Sequence, residues 1–157
     1  MKASSLNDIK RELEHKTSRE LLFYCLKLAK FKKENKEFLT FLLFEENDLA
    51  TYVHKIKTEI TRHFDDINFS NVYFVKKSLR KILRYVNKQI KFVSSKQTEA
   101  EILIHFCNCV IDYSLPLYTS RQLMNLYEGQ LGKISSVLST LHPDLQHDLG
   151  RELKKLP

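Results

Sequence analysis

The sequence predicts an all-α fold, and three observations carry that reading. Apolar residues recur at three- and four-residue spacing almost throughout the chain. Plausible helix starts punctuate the pattern at short intervals. Hairpin chemistry is scarce: there are 3 glycines, all after residue 128, 3 prolines, and no Asn-Gly or Asp-Gly pair. The expectation is seven or eight helices in antiparallel helix hairpins, forming a bundle or a short irregular solenoid-like stack.

The first helix is expected over about residues 5–15, with residues 1–5 as a flexible end. "TSRE" at Thr17–Glu20 is a capping box, in which hydroxyl and carboxylate satisfy each other's orphan amides, and it opens a helix to about residue 32. "KEFLTFLLFEE" follows, and so apolar a run is expected to be buried on most sides. Asn47 is suited to cap a helix over 48–66, and Ser70 or Asn71 a helix ending near Val93. Between these, "NFSNVYFV" has some strand character. The sixth helix, about 98–113, ends before Leu115-Pro116, because the residue preceding a proline is pushed out of helical geometry. "TSRQ" at Thr119–Gln122 reads as a second capping box opening a helix to about 141. Pro143 fits the first turn of a last helix, with Asp144 at its positive end. Residues 19–45 and 77–110 are helix pairs of similar type, but no fixed period relates them, so a regular repeat array is not expected.

At 157 residues with 43% hydrophobic and 29% charged content, the chain reads as a single globular domain over 1–157. A domain of that length buries roughly two-thirds of the surface its unfolded chain exposes and needs no staple. The cysteine count is odd, at Cys25, Cys107 and Cys109, which predicts reduced thiols; Cys25 in "LLFYCLKL" reads as a small buried hydrophobe. Residues 1–5 do not begin a charged-then-apolar leader, and no window holds the roughly 18 apolar residues of a membrane span. The expected location is the cytoplasm.

Catalytic signatures are missing. Glycines confined to the last 29 residues supply neither a dinucleotide loop nor a phosphate-binding P-loop, and no G-x-S-x-G elbow or H-x-x-x-H pair occurs. A non-catalytic protein with no cofactor and no small-molecule substrate is therefore expected. On the sixth helix, Glu101, His105, Asn108, Cys109 and Asp112 share a face, and His105 and Cys109 stand four residues apart as weak metal-ligand candidates. Two soft ligands are too few for a tetrahedral site, so the face is read as solvated or capped and no metal is expected. Glu12 and His15 have the E-x-x-H spacing of di-iron bundles, but no second such motif exists. Asp65 and Asp66 read as turn and cap residues. A ladder of Ile134, Leu138, Leu141, Leu145, Leu149, Leu153 and Leu156 is read as packing on the bundle, with docking on a second copy as the other reading.

One stretch stands apart. In "VKKSLRKILRYVNKQIKF", residues 75–92, the apolar positions Val75, Leu79, Ile82, Leu83, Val86 and Ile90, with Val93 beyond, fall within about 100° of a helical wheel. Lys76, Lys77, Arg80, Lys81, Arg84, Lys88 and Lys91 occupy an opposite arc, with Tyr73 among them and Phe74, Tyr85 and Phe92 along one border. Ordinary exposed faces interleave both signs, because like charges four residues apart repel by a few tenths of a kcal/mol per pair. Here no acid occurs between Asp66 and Glu99, and that interval carries eight basic residues in a chain whose net charge is +7. The basicity is local, as an anion-binding surface requires.

Two functions are weighed. The leading one is a helical protein–protein adaptor, acting through a protein partner or self-association. The alternative is nucleic-acid binding, with the seven basic side chains meeting phosphates and Tyr73 stacking on a base. The choice turns on whether acids such as Glu45, Glu46 and Asp48 cover the stripe in the fold.

Overall fold

The computed structural model describes residues 1–156 and contains, among them, eight α-helices and no strand. Packing divides the chain, read from sequence as one domain, into two compact units, Met1–Glu46 and Asn47–Pro157.

The first unit holds α1 (Leu6–Glu14), α2 (Ser18–Phe31), α3 (Lys33–Thr40) and a π-helical turn, Phe41–Glu45. Ser5 caps α1 by accepting from the Asp8 amide at 3.2 Å. The capping box of α2 forms as expected: Thr17 Oγ1 accepts from the Glu20 amide at 3.2 Å, and Glu20 Oε2 from the Thr17 amide at 2.8 Å. These hydrogen bonds favour the ionised form and hold the Glu20 carboxyl below its usual range. Lys32 is extended and separates α2 from α3, while Asn35 Nδ2 donates to the Leu28 carbonyl at 2.8 Å and satisfies an end of α2.

Two expectations fail in this unit. Of the run "FLLF", only Phe41 is buried, at 2% exposure, whereas Leu43 and Phe44 are 59% and 75% exposed. The wider π turn splays four consecutive apolar residues around the axis, so they cannot share one covered side. Cys25 is exposed, not buried. Within the unit α2 packs chiefly on α3, and none of its residues is buried.

The second unit has α4 (Leu49–Asp65), α5 (Val72–Val93), α6 (Lys96–Asp112), α7 (Arg121–Leu138) and α8 (Pro143–Glu152). Short polar caps fix the starts. Asp48, one residue beyond the expected Asn47, accepts from the Thr51 amide at 3.2 Å; Asn71 accepts from the Tyr73 amide at 2.8 Å and ends any strand character in "NFSNVYFV". The second capping box does not form. Ser120 caps α7 through the Leu123 amide, while Thr119 closes a 3₁₀ turn (Leu117–Thr119) and its hydroxyl donates to the Pro116 carbonyl at 2.6 Å. Backbone closure after Pro116 places the cap one residue later than the sequence motif suggests. α8 starts at Pro143 as expected, with His142 Nδ1 accepting from the Asp144 amide at 3.2 Å.

α6 is apolar around more than half its circumference, and it meets α4, α5, α7 and α8. These four neighbours are the two helices before α6 and the two after it in sequence, a contact pattern common to a bundle and to a short stack of helix hairpins. Ala100, Ile102, Leu103, Ile104, Phe106 and Val110 of α6 are at most 1% exposed. Phe64 from α4 packs edge-on to Phe106, with ring centroids 5.7 Å apart. The terminal ladder is committed to this core: Leu149 is buried, and Leu141, Leu153 and Leu156 pack against the cluster. Asn108 anchors the end of α8, donating to the Glu152 carbonyl and accepting from the Lys154 amide, each at 2.8 Å.

Candidate functional site

α5 is long because nothing in Val72–Val93 interrupts it, and it stops where Ser94 takes left-handed geometry at φ 52°. Val75, Leu79, Ile82, Leu83 and Val86 are buried, so the apolar arc faces the core as expected. The opposite arc faces solvent. Lys77, Arg80, Lys81, Arg84 and Lys91 are exposed, and Lys76 and Lys88 are half-buried. Lys76 Nζ donates to Gln122 Oε1 on the first turn of α7 at 3.0 Å.

Within the second unit and among the described residues, no carboxylate lies within 4.0 Å of Lys77, Arg80, Lys81, Arg84 or Lys91. Several acids of this unit have other work. Asp48 caps α4; Glu59 pairs with Arg62 and His63; Asp66 meets Arg62 at 3.8 Å; and Asp65 accepts from the Tyr113 hydroxyl. Hydrogen bonding from Arg62 holds the Glu59 carboxyl below its usual range.

Tyr73 is 61% exposed and Phe74 41%, with ring centroids 5.5 Å apart at 71°. Tyr73, Lys77, Arg80 and Arg84 follow one another at four-, three- and four-residue intervals along the centre of the face, over roughly 17 Å at 1.5 Å per residue. Tyr85 lies off this line, half-buried with its ring edge-on to His63. Guanidinium forks on successive turns beside an open ring can hold phosphate oxygens and stack on a base.

The His105 and Cys109 pair is a different kind of place. His105 Nε2 lies 3.0 Å from the Lys57 carbonyl oxygen and 3.0 Å from Thr61 Oγ1, with Cys109 Sγ at 3.6 Å. A carbonyl oxygen only accepts, so the hydrogen-bond network assigns the proton to Nε2, and that nitrogen has no lone pair for a metal. The carboxylates on the same face of α6 are engaged elsewhere, Glu101 with Lys57 at 3.7 Å and Asp112 with Lys154 at 2.6 Å. Among the described residues, no group of three or more His, Cys, Asp or Glu is placed to hold a metal ion. The ring pins α6 to α4.

Burial pushes the His105 pKa below its ordinary 6.5, against the backbone bond to Lys57, which acts the other way. The folded state therefore holds the neutral ring, and below pH about 6.5 the unfolded chain takes up the proton more readily. Stability from this ring is complete above pH about 6.5 and is lost as pH falls. Urea denaturation at pH 7.5 and 5.5 should show a smaller loss on acidification in His105→Gln than in the parent chain; equal losses would exclude the role. Burial likewise raises the Cys107 thiol to about 12 and shifts Cys109 upward, so both stay protonated and unreactive.

Glu12, in the last turn of α1, and His15, its C-cap three residues on, are joined by a backbone bond from the His15 amide to the Glu12 carbonyl at 3.3 Å. Sequence reasoning placed Gln122 in a capping box and not in this contact with Lys76, because a partner 46 residues away leaves no trace in helical periodicity. Among the described residues, no helix is long and apolar enough to cross a membrane. Comparison of the chain with protein-family models, curated proteins and solved structures finds no match.

Proposed function

We propose that this chain binds nucleic acid, acting by association and not by catalysis, through the basic face of α5. The observation that carries the reading is the exposure of Lys77, Arg80, Lys81, Arg84 and Lys91 without a carboxylate of their own unit beside them. A solvated face that served only solubility gains nothing from concentrating one sign of charge on one helix, whereas phosphate binding does. Tyr73 adds a stacking surface at one end of the line, favouring single strands. The proposed setting is the cytoplasm, in keeping with an odd number of cysteines, none bridged among the described residues.

Most of the affinity should come from release of counterions at the phosphates. With about four basic side chains engaged at once, the log–log salt slope on duplex DNA is expected at about −3 to −4, from roughly 0.9 per phosphate contacted. Fluorescence anisotropy of labelled oligonucleotides at several salt concentrations measures it. No binding by the folded chain at low salt would return α5 to a solvated face. The adaptor reading retains one specific observation, a groove on the first unit.

A further inference from the structure

We infer that the first unit carries a second binding site, a groove along α2 and α3 that takes a short acidic, amphipathic peptide segment of another protein. The groove encloses about 510 Å³. Its floor is aliphatic: Leu26 and Leu43 are 48% and 59% exposed, and Ala29 and Leu39 are half-buried between them. Four lysines stand around that floor, Lys30, Lys32, Lys33 and Lys36, and no acid lines it. Among the described residues, only Lys33 of these has an ion-pair partner, Glu37 at 3.9 Å, while Lys33 itself stays 89% exposed.

The rim selects the occupant. A second copy of the chain docking by the same patch would set lysines against lysines, because a two-fold contact repeats one surface on both sides. A nucleic acid would find neither a guanidinium fork nor an aromatic ring among the lining residues. A flat lipid surface does not fill a concave groove. A peptide with apolar anchors at i, i+3 or i+4, and i+7, flanked by Asp or Glu, satisfies the floor and the rim together. From Lys36 to Leu43 the groove wall rises roughly 10 Å at 1.5 Å per residue, which accommodates about two helical turns.

The test uses the full chain and two sets of fluorescein-labelled 12-residue peptides with leucine or phenylalanine at the anchor spacing, one filled out with Asp and Glu and the other with Lys. The acidic set should bind and the lysine set should not. Lys32→Glu combined with Lys36→Glu should weaken acidic-peptide binding at least about tenfold, and Leu43→Asp, which puts a charge on the apolar floor, should do the same with all four lysines in place. All three side chains are exposed, so circular dichroism should match the parent chain. Arg80→Glu with Arg84→Glu should keep the peptide, which separates this groove from α5. The inference is overturned if neither set binds or both bind equally, or if the α5 variant loses the peptide while the lysine variant keeps it. It is equally overturned if the parent chain dimerises in sedimentation and Leu43→Asp abolishes the dimer, or if phosphatidylserine vesicles capture the chain and the peptide does not compete.

Discussion

Arg80→Glu combined with Arg84→Glu is expected to lower oligonucleotide affinity at least about 100-fold at low salt, while leaving the thermal midpoint close to that of the parent chain. Each arginine is exposed on the face opposite the buried arc, so neither substitution removes a core contact. A hydrogen bond to a charged group contributes about 1.5–3 kcal/mol, and losing two therefore costs about 3–6 kcal/mol, or roughly two to four decades of affinity. The two new carboxylates also repel the phosphates, so a residual complex should show a salt slope shallower by about 2. Tyr73→Ala provides the complementary arm: if the ring stacks on a base, single-stranded binding weakens more than duplex binding, by about 1–3 kcal/mol. Anisotropy titrations of the three proteins decide the matter. Full binding by the double glutamate variant excludes α5 as the interface.

The second large effect concerns the fold. Phe64→Ala should destabilise the bundle by about 3–5 kcal/mol, read from the urea midpoint at constant m. The ring is fully buried, packs edge-on to Phe106 and tilts against Tyr113 at 5.4 Å, so its removal leaves a void walled by α6 on one side. Tyr113 cannot swing in without releasing its hydroxyl from Asp65. Incomplete collapse of such a site is what lifts the cost above transfer free energy alone. A change below 1 kcal/mol would show that α4 is held by other contacts.

Helix positions and the orientation of α5 were legible because each depends on spacing along the chain. The 3.6-residue period that buries Val75, Leu79, Ile82 and Val86 also fixes where Arg80 and Arg84 must point. Capping was legible to within one residue. Asp48 and Ser120 each displaced a neighbouring candidate, since any of several short polar side chains can supply the oxygen and the local backbone path selects among them. What spacing does not encode is how many neighbours a helix will have. Leu43 and Phe44 were expected under cover and are exposed, whereas α6, with a similar apolar density, is enclosed by four helices. Whether the basic stripe is covered was equally illegible, because it depends on where acids such as Asp48, which caps α4, spend their charge in three dimensions.

The central position of α6 also governs how the second unit comes apart. A peripheral helix such as α8 can fray while its neighbours keep their contacts, but α6 can be wetted only after several of the helices around it have moved away. Its amide protons are thus reachable by deuterium only through the rarest openings, close to complete unfolding, and those of α8 through frequent partial ones. The bundle dissolves from its rim inward, with α6 the last segment to meet water.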